Sequence, residues 1–156
     1  MIQHNEKGFT LIELLISISI LAVITMAIIP SFGNFAFRNA VLTSAEGLKS
    51  DLELLQSKAV GGVAVGQTLV SWGASFGSAG SSSYSLGYIS PTTGWSSQKV
   101  VTLPSGVLVT CTVAQVSFER ITGSLTGAGS CTFYLSSDAS TSKTVSILSA
   151  GSITVN

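Results

Sequence analysis

The pattern of hydrophobic and polar residues changes twice along the chain. From Leu14 to Phe37 no side chain is ionisable, and apolar residues fall on every face of a helix. After Arg38 the apolar residues narrow to one helical stripe with spacings of four and three: Val41, Ala45, Leu48, Leu52, Leu55 and Ala59. Past Gly62 apolar and polar residues alternate with a period of two, as in strands. The pattern predicts an α+β chain with one long helix from Phe9 to about Val60 and a β-rich domain behind it.

Short β-branched and aromatic runs between Gly, Ser and Thr turns predict the strands of that domain. The runs are QTLVSW, YSLGYIS, QKVVTL, GVLVTCTV, VSFERI, CTFYLS, TVSILS and SITVN. Three further features predict turns: the pair Gly61 and Gly62 ends the helix, Pro104 and Gly106 form a tight turn, and Gly151 closes a terminal hairpin. The low-complexity stretch 75–85 is interpreted as a flexible loop.

The uncharged run from Leu14 to Phe37 is longer than the roughly 20 apolar residues that a membrane-spanning helix needs. It is also longer than the apolar core of a secretory signal peptide. A buried core helix is the alternative, but a helix in so small a domain is rarely apolar on every face. The run therefore favours membrane insertion.

The composition also indicates that part of this 156-residue chain does not face water. Charged residues make up 9% and hydrophobic residues 46%, with a mean hydropathy of +0.57, whereas soluble domains carry about 25% charged residues. Seven basic side chains balance seven acidic ones. This balance predicts no electrostatic surface for nucleic acid or for acidic lipid.

Glu13 is the one carboxylate at the edge of the apolar run, where an unpaired charge is expensive. It could simply be the last polar residue before a membrane. The alternative starts from the polar head MIQHNEKG, because cleavage between Gly8 and Phe9 would create an α-amine about one helical turn from Glu13. Between staggered copies of the helix, amine and carboxylate could meet and fix the register of an assembly.

The segment KGFTLIELLISISILAVITMAIIP resembles the N-terminus of type IV pilins and of the pseudopilins of type II secretion systems. The shared elements are a short basic leader that ends in Gly8, a phenylalanine at the first mature position (Phe9), a glutamate at the fifth (Glu13) and a proline at the twenty-second (Pro30). The C-terminal third is similar to the minor pseudopilin H and FimT-like branch. The resemblance implies a pilin-like fold, in which the helix packs on an antiparallel sheet domain.

The resemblance further implies cleavage after Gly8 by a prepilin peptidase, N-methylation of Phe9, and a role for Glu13 in recruitment to the filament. The expected divisions are a leader (1–8), a transmembrane or filament-core helix (9–37), an amphipathic helix (38–60) and a β-rich domain (61–156). The implied partners are the peptidase, other pilin or pseudopilin subunits in a homo- or hetero-oligomeric filament, an inner-membrane assembly platform and the lipid bilayer. The implied location is the inner membrane, single-pass with the C-terminal domain outside the cytoplasm, and then a pilus or pseudopilus that can reach the cell surface.

Pro30 removes a backbone donor and clashes with the preceding turn, and Gly33 weakens the helix again. We therefore expect a helix break or kink at these two residues. Cys111 and Cys131 lie in predicted neighbouring strands, and an exported domain meets an oxidising environment. A disulfide is favoured over two small buried thiols.

No enzyme, cofactor or metal site is expected. The serines have no basic partner, the sheet region has no paired carboxylates, and the only histidine, His4, lies in the leader. Asp138 alone falls short of the six to eight oxygen ligands of calcium. The adjacent Glu119 and Arg120 are interpreted as a solvated or sheet-edge pair.

The leading functional hypothesis is a filament subunit, with a minor pilin or pseudopilin slightly favoured over a major pilin. One alternative is a FimT-like tip pilin that binds DNA for uptake. Its phosphate contacts would need clustered cations, but only Lys99, Arg120 and Lys143 follow Gly61, and they are far apart in sequence. Nucleic acid is therefore not expected to be a partner. A second alternative is a membrane-tethered periplasmic β domain that never polymerises.

Overall fold

The structure is a computed structural model that describes residues 9–66 and 68–156, with residues 27–34 and Leu69 described in backbone only. The predicted leader, including Gly8, lies outside the described residues. The chain divides at Phe37 and Arg38 into two compact units. The predicted fold class is confirmed: a long N-terminal helix is followed by antiparallel sheets.

Helix α1 runs from Leu11 to Val60. Its start has a physical cause, because Thr10 is an N-cap residue whose hydroxyl oxygen accepts a bond from the N–H of Glu13 in the first turn. Pro30 and Gly33 lie inside the helical range, and the predicted break at these residues stays a prediction. Among the described side chains, which exclude those of 27–34, no helix is long and apolar enough to cross a membrane.

The glycine pair ends α1 as predicted. Gly62 has a φ of 62°, and its N–H donates to the carbonyl of Ala59 at 3.1 Å. The N–H of Val63 donates to the carbonyl of Lys58 at 3.0 Å, which completes a Schellman cap. A distant loop adds a third bond, from the N–H of Ile121 to the carbonyl of Ala59 at 2.8 Å.

Eleven strands are found among the described residues: β1 (Ala64–Val65), β2 (Thr68–Leu69), β3 (Ser71–Phe76), β4 (Ser83–Ser90), β5 (Gly94–Thr102), β6 (Val107–Cys111), β7 (Gln115–Phe118), β8 (Leu125–Thr126), β9 (Gly129–Leu135), β10 (Ser142–Ile147) and β11 (Ile153–Val155). A five-stranded sheet has the order β5-β4-β3-β7-β8, and a four-stranded sheet has the order β11-β10-β9-β6. β1 and β2 pair with each other. All the pairings of named strands are antiparallel.

The buried side chains form one cluster that joins α1 to both sheets. The six residues of the predicted helical stripe are each at most 2% exposed. They belong to the same buried cluster as aromatic and β-branched residues of the strands, among them Phe118 and Phe133, which are fully buried. The prediction that this stripe packs on the chain's own sheet domain is confirmed.

Three turn predictions have different outcomes. The terminal hairpin is confirmed, since β10 and β11 pair and the N–H of Gly151 donates to the carbonyl of Leu148 at 2.8 Å. Pro104 and Gly106 do form a turn, but it connects β5 to β6 and so joins the two sheets. The prediction of a flexible loop over residues 75–85 is wrong. Its ends belong to β3 and β4, and Ser81 bridges to Val109 of β6, so backbone bonds hold the connection in place.

Candidate assembly site

The first turn of α1 places Glu13 beside Thr10. Both the N–H and the hydroxyl of Thr10 donate to Oε2 of Glu13, at 3.0 and 2.9 Å. In return, the N–H of Glu13 donates to Oγ1 of Thr10 at 3.3 Å. This reciprocal pattern is a capping box, in which two helix donors without an intrahelical partner are satisfied.

The signature of the capping box is present in the sequence, but the predictions from sequence did not include it. Thr10 and Glu13 are three residues apart and stand directly before an apolar run, which is the spacing of the motif. The sequence left two readings of Glu13 open: the last polar residue before a membrane, or a partner for a new α-amine about one turn away or on a staggered copy. The structure adds a contact with Thr10 of the same chain, and it leaves Oε1 of Glu13 without a donor among the described residues.

Every residue from Leu11 to Met26 is exposed, and each large apolar side chain in this range is more than half exposed. The hydroxyl groups in the segment bond to their own helix. Ser17, Ser19 and Thr25 donate to the carbonyls four residues earlier, at 2.8, 2.8 and 2.6 Å. Hydroxyls that are satisfied in this way can be placed in an apolar environment without a partner from outside the helix. This surface is therefore suited to cover by lipid or by other apolar helices.

Phe9 immediately precedes the cap and is 84% exposed. The bond between Gly8 and Phe9 includes a residue outside the described range, so the predicted cleavage and methylation stay predictions. Glu13 and Phe9 lie in the same N-terminal segment as predicted. The register role of Glu13 concerns contacts between copies, and it likewise stays a prediction.

The disulfide predicted between Cys111 and Cys131 is present, with the two Cα atoms 4.0 Å apart. The cysteines are directly opposite each other in β6 and β9. The N–H of Thr112 donates to the carbonyl of Ser130 at 2.9 Å, which makes the neighbouring cysteine pair a non-hydrogen-bonded one. Side chains approach most closely at such pairs, so the disulfide links the two strands where their side chains already meet.

A second long-range contact ties α1 to the five-stranded sheet. The hydroxyl of Tyr84, on β4, donates to Oδ2 of Asp51 at 2.8 Å, and Tyr84 is 3% exposed. Burial, together with the hydrogen bond to Asp51 and its negative charge, raises the pKa of Tyr84 far above its usual range. Sequence periodicity does not reveal this pair, because its members are 33 positions apart.

The structure does not assemble the cations considered for DNA binding into one cluster on one strand. Lys99 is on β5, Lys143 is on β10 in the other sheet, and Arg120 follows β7. Glu119 and Arg120 lie beyond the end of β7, where they line a cavity of about 420 Å³ with Ser71, Ile89 and Pro91. Among the described residues there is no group of three or more His, Cys, Asp or Glu side chains that could hold a metal ion.

Comparisons with known proteins agree with this architecture. Residues 3–29 match the family described as the prokaryotic N-terminal methylation motif. Two solved structures of the minor pseudopilin EpsH from the type 2 secretion system of Vibrio cholerae are similar to the chain, with TM-scores of 0.59 and 0.60 at 12% and 11% sequence identity. They cover 74% and 76% of this chain and 95% and 94% of the EpsH chains. No curated protein matches the sequence significantly.

The resemblance to type IV pilins and pseudopilins, first seen in residues 7–30, is therefore confirmed. The N-terminal segment matches the methylation motif, and the fold is similar to that of EpsH.

Proposed function

We propose that this chain is a structural subunit of a type IV pilus or of a type II secretion pseudopilus, and not an enzyme. It is held in the inner membrane by residues 9–37 and then joins a helical filament through the same segment. The observation that carries the proposal is the contrast between the two units: residues 11–26 are exposed and mainly apolar, whereas residues 38–156 contain a complete core of their own. A surface of this kind needs cover from lipid or from other helices.

The motif match over residues 3–29 supports processing. In this proposal a prepilin peptidase removes residues 1–8, and the new N-terminal Phe9 is methylated. Phe9, the residue after the proposed cleavage point, is exposed and precedes the first residue of α1. The mature chain then consists of an apolar helical part (9–37), an amphipathic helical part (38–60) and a sheet domain (61–156). An assembly platform in the inner membrane would move the subunit from bilayer to filament.

A minor subunit is favoured over a major one. EpsH, whose fold this chain shares, is a minor pseudopilin. A minor role would place the chain at the start or tip of a filament with other subunits, so that its filament is hetero-oligomeric. The proportion of this chain in sheared filaments, measured by quantitative mass spectrometry, tests this point: a trace amount supports a minor subunit, and a dominant amount contradicts it.

The structure allows a sharper test of Glu13 than alanine alone. Glu13→Ala removes both the carboxylate charge and the acceptor of the capping box. Glu13→Gln removes the charge but keeps a side-chain acceptor at the position where Glu or Gln completes the box. If the charge fixes the register between copies, both variants stay in the membrane and are absent from filaments.

The measurement is intact-mass and N-terminal analysis of sheared surface material and of membranes. A methylated Phe9 in the sheared fraction of the unmodified chain is expected, and loss of that fraction is expected in both variants. Normal assembly of Glu13→Gln would show that the charge is not required. An uncut chain confined to membranes would leave only the non-polymerising tethered domain.

A further inference from the structure

A cavity of about 310 Å³ lies where the amphipathic part of α1 meets the start of β10. Its lining combines two cations, three hydroxyl side chains and one apolar residue: Arg38, Lys143, Ser140, Thr141, Ser142 and Val41. No acidic side chain contributes to this lining.

The position of Lys143 in its strand explains why a cation lies here. Lys143 shares a strand face with Val145 and Ile147, which are both buried in the core. Lys143 is therefore the last member of the inward-facing row and is half-buried. Arg38 reaches the same cavity from α1, three residues before the buried Val41.

Two like charges that line one cavity repel each other unless a counter-charge is present. Neither Arg38 nor Lys143 has an ion pair within the part of the chain that the structure describes. Guanidinium and ammonium groups beside hydroxyls are donors that suit the oxygens of a phosphate. A bound anion would remove the repulsion and use these donors.

Asp138 interacts electrostatically with Arg38, and its contacts limit the charge of a suitable anion. Its pKa is lowered by bonds from the hydroxyls of Ser140 and Thr141 and from the N–H of Ser140, with a further contribution from the charge of Arg38. The three bonds are 2.6, 3.0 and 3.0 Å long and engage both carboxylate oxygens. Two cations and one fixed carboxylate leave a single net positive charge, which matches a monoanion such as a phosphodiester.

Sequence position indicates the source of such a phosphodiester. Arg38 is the first ionisable residue after the uncharged run from Leu14 to Phe37. If that run lies in a bilayer, as the proposed function requires, the next residue is at the level of the lipid headgroups. We propose that the cavity lined by Arg38 and Lys143 binds the phosphodiester headgroup of an anionic phospholipid and so fixes the globular unit against the membrane surface before assembly.

The test uses the full chain in micelles of an uncharged detergent, with amide chemical shifts of residues 140–143 as the readout. The probes are dihexanoylphosphatidylglycerol, dihexanoylphosphatidylcholine and inorganic phosphate. We expect phosphatidylglycerol to bind saturably and more tightly than the other two. Arg38→Gln and Lys143→Gln should each weaken its binding about tenfold, the loss of one charge-assisted contact. Lys99→Gln is the matched control, because it removes an equal charge from β5, and it should leave binding unchanged.

Each contrary outcome rejects a defined part of the proposal. Equal affinity for inorganic phosphate and phosphatidylglycerol would make the cavity a phosphate site without lipid preference, and equal affinity for phosphatidylcholine would show that net headgroup charge is not recognised. If the two variants keep the wild-type affinity and melting temperature but alter self-association of the chain, the cavity is a subunit contact and the lipid proposal is wrong. Binding is measured before assembly, so a negative result leaves the filament proposal intact, and failure of the Glu13→Gln test leaves binding unaffected.

Discussion

Tyr84→Phe tests the buried link between α1 and the five-stranded sheet. The substitution keeps the ring and its packing but removes the hydroxyl that donates to Asp51 at 2.8 Å. Hydrogen bonds to charged groups contribute roughly 1.5–3 kcal/mol, with more when the partner is left without water. Asp51 is only half-buried, so water can replace the lost donor. We expect the free energy of unfolding to fall by about 1.5 kcal/mol at pH 8, the lower end of that range.

The same residue makes stability depend on alkaline pH. The pKa of Tyr84 is raised in the fold, first by burial and then by the bond to Asp51 and its charge. In the unfolded chain a tyrosine titrates near pH 10. Because the folded pKa is above the unfolded one, the stabilisation is complete below about pH 10 and is lost as pH rises beyond it. One pH unit above the unfolded pKa, the native protein has lost about 1.4 kcal/mol through this group.

The assay is urea unfolding of the full chain in uncharged detergent, followed by tryptophan fluorescence at pH 8 and pH 11. Between these pH values the original chain should lose about 1.4 kcal/mol more than Tyr84→Phe does. Tyr88→Phe is the matched control, since it removes a hydroxyl from the same strand at a half-buried position. Equal alkaline losses in the original chain and in Tyr84→Phe would refute the reasoning.

Three further substitutions test the core, the disulfide and the helix end by the same urea assay. Leu48→Ala, at a fully buried position, should lower the free energy of unfolding by about 3 kcal/mol. Leu54→Ala, at a position that is 52% exposed, should change it by no more than about 0.5 kcal/mol. Equal effects would contradict the packing of the stripe. Replacing Cys111 and Cys131 by serine removes a disulfide between residues 20 positions apart and should lower the free energy of unfolding by about 3 kcal/mol. Reduction of the original chain should give the same loss. Gly62→Ala should cost about 1 kcal/mol because φ is 62° there, and no change would argue against the Schellman cap.

The parts of the fold that could be predicted from sequence are those governed by one local period. Alternate spacings of four and three place Val41 through Ala59 on one face, and all six stripe residues are buried. The disulfide could be predicted because the two cysteines lie in two separate predicted strands of a domain that was expected to be exported. Even the helix end followed from local chemistry, since only glycine adopts the left-handed conformation there without strain.

The parts that sequence could not predict depend on contacts between distant residues. Glu119 to Ile121 read as a continuation of a strand, but Ile121 has a φ of 71°, and the N–H of Thr122 bonds back to the carbonyl of Arg120. This is a γ-turn that a β-branched residue rarely occupies. In this turn the N–H of Ile121 donates to the carbonyl of Ala59 at the end of α1. No local sequence pattern reveals that contact. The division of the strands into two sheets likewise depends on pairing between β6 and β9, across the β7–β8 segment.

The capping box changes how the register hypothesis for Glu13 should be understood. A helix that is apolar on every side can slide past its neighbours at little cost, because each apolar contact is replaced by another. Between Leu11 and Met26 the hydroxyls of Ser17, Ser19 and Thr25 do not oppose such sliding, since their bonds are made within the helix. Glu13 differs from them, because Thr10 engages Oε2 alone and leaves the rest of a full negative charge unpaired by any described residue. A single charge, hydrogen-bonded through one oxygen to its own helix cap, is therefore the feature of this segment that can favour one axial position over the others.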